Sequence, residues 1–202
     1  MKPYITLKTI LDYICALAMT IVISPILLIV AFLIKVTSPG PVFFKQRRIG
    51  KDKKEFEILK FRTMRTDTPK DMPTHLFTNA ESFITPIGKF LRKSSLDELP
   101  QLINILRGEM SFIGPRPALW NQFDLIEARE EVKANSLKPG ITGWAQVNGR
   151  DEIPIDQKAA LDGYYIDNVS FGLDLKILIL TFTTVLTAKG VSEGGPKNNK
   201  EN

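Results

Sequence analysis

An uncharged stretch near the N-terminus most constrains how this chain folds. It runs from Tyr13 to Ile34 without a charged side chain. Its about 22 residues would form a helix of roughly 33 Å, which is enough to cross the hydrocarbon core of a bilayer. The stretch is too long for the apolar core of a cleaved signal peptide. The sequence therefore predicts a membrane helix that is retained in the protein.

The proline in the middle of this stretch and the basic residues on both sides of it indicate how the helix is placed in the membrane. Ser24 and Pro25 lie at its centre, where a proline removes an intrahelical hydrogen bond and bends the helix. Positive charge marks the cytoplasmic side of a membrane segment, and here both ends are basic. We favour a re-entrant helix that breaks at Ser24 and Pro25 and returns to the same face, over an ordinary span with a proline kink. The flanking bases are Lys2, Lys8, Lys35, Lys45, Arg47, Arg48, Lys51, Lys53 and Lys54.

The remaining sequence predicts an α+β fold that is mainly helical. Strand-like segments at residues 42–46 and 55–61 flank Gly50, so a small β-hairpin is expected. Residues 171–188 are apolar but carry Asp174 and Lys176, which fits either a core helix or, as we favour, an amphipathic helix in the membrane interface. We divide the chain into a membrane helix (1–36), a main domain (37–190) and a polar tail (191–202). Further helices are expected at 102–106, 121–134 and 155–166, and glycine-rich loop structure at 139–150.

Composition narrows the classes of function. The chain has 202 residues and a net charge of +5, which suits an anionic partner such as nucleic acid, anionic lipid or a phosphorylated substrate. Cys15 and His75 are the one cysteine and the one histidine, and together they cannot build a zinc site. A histidine-dependent mechanism would have to use His75, which is more typical of a loop residue in its polar, proline-containing surroundings.

Asp97 and Glu98 are the candidate reactive residues. One interpretation is structural, because Ser95-x-x-Glu98 matches a capping box at the start of a helix. The other is chemical, because a helix N-terminus and the nearby bases Arg92 and Lys93 would favour an ionised carboxylate. An ionised aspartate can act as a nucleophile or bind Mg²⁺.

Several basic residues could hold phosphate. Arg116 lies between two prolines, which fix the backbone and can present a guanidinium to phosphate at little entropic cost; a surface loop arginine is the alternative. Lys60 and Arg62 alternate along a predicted strand and would share one face. That face could meet lipid headgroups or substrate phosphates, or could simply be solvated. The glycines of 139–150 could let backbone N–H groups approach an anion, but they match no Rossmann or P-loop pattern.

Taken together, these segments resemble the bacterial sugar transferase family, the monotopic phosphoglycosyl transferases, in a small single-domain form. The matching stretches run in order through most of the chain. They are Ser24-Pro25, FFKQRRIG at 43–50, KFRTM at 60–64, SLDELPQL at 95–102, MSFIGPRP at 110–117 and PGITGWAQVNGR at 139–150.

The resemblance implies a reaction and a location. Asp97 would attack the sugar-bearing phosphate of a UDP-sugar and release UMP, and polyprenyl phosphate would then take the phosphosugar from the aspartyl intermediate. Mg²⁺ would assist, with Asp97 and Glu98 as its ligands, although Glu98 could instead be a general base. The enzyme would face the cytoplasm from the bacterial inner membrane, in contact with membrane lipid and without a nucleic-acid partner. Its oligomeric state stays open, with a homodimer as one alternative, and the sugar is not readable. The residues expected to bind substrate are Lys60, Arg62, Arg92, Arg116 and Arg150.

Two rival functions differ in class. A glycosidase or glycosyltransferase acting at the sugar carbon would place two carboxylates on either side of a glycosidic bond, which adjacent Asp97 and Glu98 fit poorly. A basic, membrane-anchored binding protein would explain residues 45–54, but the chain has no recognisable nucleic-acid motif.

Overall fold

The computed structural model describes residues 3–68, 80–149 and 153–187. The predicted polar tail, Arg150 and His75 lie outside the described residues. Seven helices occur in the described part of the chain, with two small β-sheets. The mainly helical α+β prediction is confirmed. The helices are α1 (Pro3–Thr37), α2 (Pro86–Lys93), α3 (Gln101–Leu106), α4 (Phe123–Glu131), α5 (Trp144–Val147), α6 (Ile155–Asn168) and α7 (Phe171–Thr187).

Helix α1 extends well beyond the uncharged stretch. It is a single helix of 35 residues with Pro25 in its interior. The Ser24 hydroxyl donates to the carbonyl of Ile21 at 2.8 Å, a bond that often accompanies a bend. Ser24 and Pro25 therefore do not divide α1 into two helices, and the expected return to the same face stays a prediction. Among the described residues, α1 is the one helix long and apolar enough to cross a membrane.

One face of α1 packs against the rest of the chain along nearly its whole length. Tyr4 and Ile5 contact a cluster of buried residues that includes Tyr165 and Ile177. Ala16 joins a second cluster with Leu102 and Ile105, and Val30 and Ile34 join a third with Phe61 and Leu91. The opposite face is exposed and apolar, which is the pattern expected of a helix that meets lipid. Its most exposed members include Ile21, Val22, Leu28, Ile29 and Phe32.

The predicted hairpin is confirmed. Strands β1 (Phe43–Ile49) and β2 (Glu55–Phe61) pair antiparallel, with Phe43 opposite Phe61 and Ile49 opposite Glu55. A short 3₁₀ turn at Lys51–Lys53 connects them. Phe56 and Ile58 point into the core beside α3. Lys60 follows on β2, so the hairpin holds this base in a fixed position near the reactive residues.

The segment expected to be a glycine-rich loop contains regular structure. Strand β4 (Gly140–Thr142) pairs in parallel with β3 (Ser111–Ile113), and α5 follows it directly. A Cβ atom on Gly140 would lie 2.1 Å from the backbone nitrogen of Gly114, so only glycine allows this approach. The N–H of Gly140 donates to the carbonyl of Pro115 at 2.9 Å. This N–H therefore supports the loop that carries Arg116, and the suggestion that it approaches an anion is wrong.

Candidate active site

Asp97 and Glu98 lie in a 3₁₀ turn, Leu96–Glu98, between α2 and α3. The predicted capping box does not form: Ser95 makes no side-chain capping bond, and its backbone is left-handed, with φ of 56°. The N–H of Glu98 donates instead to the Ser95 carbonyl at 3.3 Å. Because α3 begins only at Gln101, the Glu98 side chain is not used in a cap and is directed towards the bases on neighbouring elements.

Glu98 forms the charged centre of the site. Its Oε1 lies 2.6 Å from the Nζ of Lys60 and 3.6 Å from Nη2 of Arg116. Burial alone would raise the pKa of Glu98, but Lys60 and Arg116 outweigh it and hold the pKa below its ordinary value. Glu98 is therefore a stable anion that brings two cations from distant segments to one place.

Asp97 lies in a different environment from its neighbour. The residue is buried, with 9% of its surface exposed. Burial raises the pKa of Asp97 and the charge of Glu98 adds to this, while Lys60 and Arg92 oppose it. Arg92 lowers this pKa as expected, but desolvation exceeds the attraction of the bases, so the net shift of the Asp97 pKa is upwards. A poorly solvated carboxylate beside several cations is nonetheless suited to attack an electrophile such as a phosphate that arrives with a bound metal cation.

Arg116 is held by its backbone. Nη1 of Arg129 donates to the Arg116 carbonyl at 2.8 Å, and Nη1 of Arg48 donates to the next carbonyl, of Pro117, at 3.0 Å. The loop before them is fixed by the bond from Gly140 and by a bond from the Gly114 N–H to Thr142. The Arg116 side chain itself is 40% exposed. The backbone of Arg116 is therefore fixed while its guanidinium stays accessible, as the two flanking prolines suggested.

The sequence did not reveal the support behind Arg116. Arg129 and Asp162 form a buried ion pair, with Nη2 to Oδ2 at 2.6 Å and side chains 5% and 1% exposed. Burial raises the pKa of Asp162 and Arg129 opposes this. Arg129 stands in a charged stretch of α4 that resembles a solvated helix face. The feature of the sequence that could have indicated the pair is Asp162, a carboxylate that shares the buried face of α6 with Ala159 and Tyr165.

The other predicted site residues have different positions. Arg92, in the last turn of α2, is close enough to Asp97 to influence its pKa. Arg62 is buried, and its guanidinium donates to the carbonyls of Ser38 and Pro39 just after α1. Arg62 thus fixes the chain at the C-terminal end of α1. Contact between Arg62 and substrate stays a prediction.

The carboxylates present suit a magnesium ion that is shared with a substrate. Among the described residues, no group of three or more His, Cys, Asp or Glu side chains could hold a metal. Mg²⁺ usually binds one or two carboxylates and completes its shell with water and substrate phosphates. Asp97 fits that role better than Glu98, whose Oε1 is already engaged by Lys60 and Arg116.

The sequence of the chain matches a known protein family. The profile of the bacterial sugar transferases matches residues 3–188 of the chain, from the start of α1 to the end of α7. The chain belongs to the bacterial sugar transferase family. This membership covers the membrane helix, the hairpin with Lys60, the Asp97–Glu98 turn and the Arg116 loop.

Individual relatives add names of activities. An uncharacterized sugar transferase, EpsL, of Bacillus subtilis is 43% identical over 187 residues, covering 93% of this chain and 91% of that protein. A UDP-glucose:undecaprenyl-phosphate glucose-1-phosphate transferase of Xanthomonas campestris is 41% identical, covering 92% of this chain and 40% of that protein. A UDP-N-acetylgalactosamine-undecaprenyl-phosphate N-acetylgalactosaminephosphotransferase of Aeromonas hydrophila is 39% identical, covering 93% and 45%. The chain thus spans less than half of two larger sugar transferases and nearly all of a small one.

Proposed function

We propose that the chain transfers a sugar-1-phosphate from a UDP-sugar to undecaprenyl phosphate. The single observation that carries this proposal is a buried aspartate, Asp97, next to a glutamate that gathers Lys60 and Arg116. Phosphoryl transfer needs mainly positioning and neutralisation of charge, and this site supplies both. The names of the relatives support the same donor and acceptor classes.

The chemistry proceeds in two displacements at one phosphorus atom. An oxygen of Asp97 forms a bond to the sugar-bearing phosphorus of the donor while the bond to the UMP oxygen breaks, so UMP leaves. An oxygen of undecaprenyl phosphate then bonds to the same phosphorus while the aspartyl bond breaks. Lys60, Arg92 and Arg116 orient the phosphates and offset their charge. When bound, Mg²⁺ would neutralise donor phosphate charge beside Asp97.

Product identity tests this proposal. Purified protein is incubated with Mg²⁺, a panel of UDP-sugars and undecaprenyl phosphate, and the released nucleotide is measured. UMP from one donor is expected, and Asp97→Asn should abolish its release. Asp124→Asn is the matched control, because Asp124 lies in the first turn of α4 on an exposed surface. Release of UDP instead of UMP would contradict phosphoryl transfer and indicate attack at the sugar carbon.

The same proposal includes a monotopic placement on the cytoplasmic face of the inner membrane. Both ends of α1 are attached to one domain: the Tyr4 hydroxyl donates to Asp174 at 2.7 Å, and the Ser38 carbonyl accepts from Arg62 at 2.8 Å. Two helix ends that are held by one domain are compatible with a position on the same side of a bilayer. This supports a re-entrant helix over a simple span. Association into a homodimer stays a prediction, which mass photometry of the purified chain would test.

Cysteine labelling tests the placement. Thr6 and Lys54 are exposed and lie on either side of the apolar stretch. The background must be Cys15→Ser, since Cys15 is exposed on α1. Thr6→Cys and Lys54→Cys in inverted and right-side-out vesicles should react with an impermeant maleimide from the cytoplasmic face alone. Labelling of the two positions from opposite faces would rule out the re-entrant topology.

A further inference from the structure

A cavity lies beside the first turns of α1. Its volume is about 80 Å³, where a single water needs about 10–15 Å³, so it has room for a group larger than water. Its walls combine two kinds of residue. Ile5, Ile113 and Leu137 contribute apolar surface, and three lysines contribute positive charge: Lys8, Lys51 and Lys138.

The charge of this cavity is only partly compensated. Lys8 lies 3.0 Å from Asp174 and 4.0 Å from Asp12, which is the acidic residue that lines the cavity. Asp12 also accepts from the N–H of Phe112 at 3.4 Å. Within the described residues, Lys51 and Lys138 have no carboxylate at ion-pair distance. The Lys138 ammonium lies over the Tyr13 ring, 5.2 Å from its centroid, which leaves its positive charge uncompensated by an acid. Lys51 and Lys138 can thus attract an anion into a partly apolar cleft, where fields are focused.

The cavity is separate from the candidate active site. It borders α1 at residues 5–12, whereas Leu96 of the reactive turn packs near Val30 and Ile34 of α1. The Lys138 carbonyl adjoins Gly114, at the start of the loop that carries Arg116. Asp97, Glu98, Lys60 and Arg116 do not line the cavity, so an anion bound there would not lie at the reactive carboxylates.

The outer face of the same turns indicates the source of the anion. Leu7, Ile10 and Ile14 are 53%, 52% and 60% exposed, on turns whose other face carries Lys8 and Asp12. This exposed apolar face can contact lipid, while Lys8 on the other face of the same turns lines the cavity with Lys51 and Lys138. Basic pockets at that level bind lipid headgroups, and lysine stems pack on apolar surface while their charges reach the polar layer.

We propose that the cavity lined by Lys8, Lys51 and Lys138 binds the phosphate headgroup of an anionic phospholipid. The headgroup phosphate accepts from Lys51 and Lys138, and the upper part of the lipid contacts Ile113 and Leu137. The bound lipid fixes the N-terminal part of α1 at the membrane surface, at a site distinct from the reaction. The site depends on the membrane placement given above and not on the identity of the reaction.

Native mass spectrometry tests this site. The purified full chain in detergent is mixed with phosphatidylglycerol or with phosphatidylcholine, and the lipids retained per protein are counted. Wild type and Lys51→Arg/Lys138→Arg should retain one phosphatidylglycerol in preference to phosphatidylcholine. Lys51→Gln/Lys138→Gln should lose this preference by roughly tenfold or more, because each lysine near an anionic headgroup contributes to the attraction.

The control removes the same charge from another surface. Lys45 and Lys54 are exposed residues of the hairpin that do not line the cavity, so Lys45→Gln/Lys54→Gln should retain the lipid. Equal loss in this control would indicate diffuse surface charge and overturn the site. Displacement of phosphatidylglycerol by millimolar inorganic phosphate would overturn the assignment to a lipid. UMP release, measured on the same samples, should be unchanged in all three double variants, which separates failure of this site from failure of the proposed reaction.

Discussion

Arg116 is the residue whose contribution to donor binding is most easily isolated. Its side chain is partly exposed, its carbonyl accepts the bond that supports the loop, and Glu98 keeps Lys60 at 2.6 Å when the guanidinium is removed. Arg116→Ala should therefore leave the melting temperature nearly unchanged. Loss of a charged phosphate contact costs about 1.5–3 kcal/mol, so kcat/KM for the UDP-sugar should fall by roughly 10- to 100-fold. Steady-state UMP release measures this effect.

Arg116→Lys is the control for this change. It retains the charge but not the planar fork, and should recover part of the loss. Unchanged kinetics in Arg116→Ala would refute a role for Arg116 in holding phosphate.

The buried pair behind Arg116 combines stability and positioning. Asp162→Ala leaves the Arg129 charge buried and uncompensated, which costs about 3–5 kcal/mol. Urea denaturation should show this as a lower midpoint. Arg129→Met with Asp162→Leu removes both charges and should recover much of the stability.

Kinetic measurements on these variants separate the contribution of the Arg129–Asp162 pair to stability from its contribution to the position of Arg116. The double variant lacks the hydrogen bond from Arg129 to the Arg116 carbonyl. Its KM for the UDP-sugar should therefore remain above the wild-type value although the protein is stable. Recovery of wild-type KM would show that the pair acts on stability alone.

The pairing of site residues could be predicted from the sequence where the residues are adjacent in the chain. It could not be predicted where folding brings distant residues together. Asp97 and Glu98 are neighbours, and their pairing was evident from the sequence. The direction of the Asp97 pKa was not, because it depends on burial by segments far away in the sequence. Arg129 and Asp162 are 33 residues apart, and each alone resembled a surface charge.

At the scale of elements, α7 is the clearest test of contact with lipid. Its exposed apolar residues follow helical spacing and form one stripe, whereas Asp174 and Ile177 on the other face are buried. A core helix would have buried that stripe, so this pattern supports an interfacial helix. The stripe consists of Phe171, Leu175, Leu178, Ile179 and Phe182.

A pair of matched substitutions tests this interpretation. Ile179→Glu adds a charge to an exposed position, and should weaken retention on liposomes in flotation assays without lowering the melting temperature. Ile177→Glu buries the same charge in a fully buried position and should unfold the domain. Undiminished retention of Ile179→Glu would place α7 away from lipid.

The elements themselves were predicted to different degrees. The hairpin and helices α3, α4 and α6 were expected within a few residues, because apolar spacing and turn residues mark them. Helix α2 and the parallel pair β3–β4 were not expected. The three-residue strands are too short for a periodic pattern, and they form because glycine allows Gly114 and Gly140 to approach closely.

The whole molecule is organised around α1. Its C-terminal half contacts the segments that carry the reactive turn, and its N-terminal half borders the cavity with three lysines. The sequence indicated a membrane helix and a basic protein. It could not indicate that the helix would lie against one domain along its length, because those contacts join residues up to 170 positions apart.

A covalent adduct on Asp97 is the measurement that most directly tests the central claim. Purified protein, Mg²⁺ and the accepted UDP-sugar are mixed without undecaprenyl phosphate, quenched, and examined by intact mass and peptide mapping. We expect a rapid release of about one UMP per protein and one phosphosugar on the peptide that contains Asp97. Transfer activity with no adduct at any time, or an adduct on another residue, would contradict it.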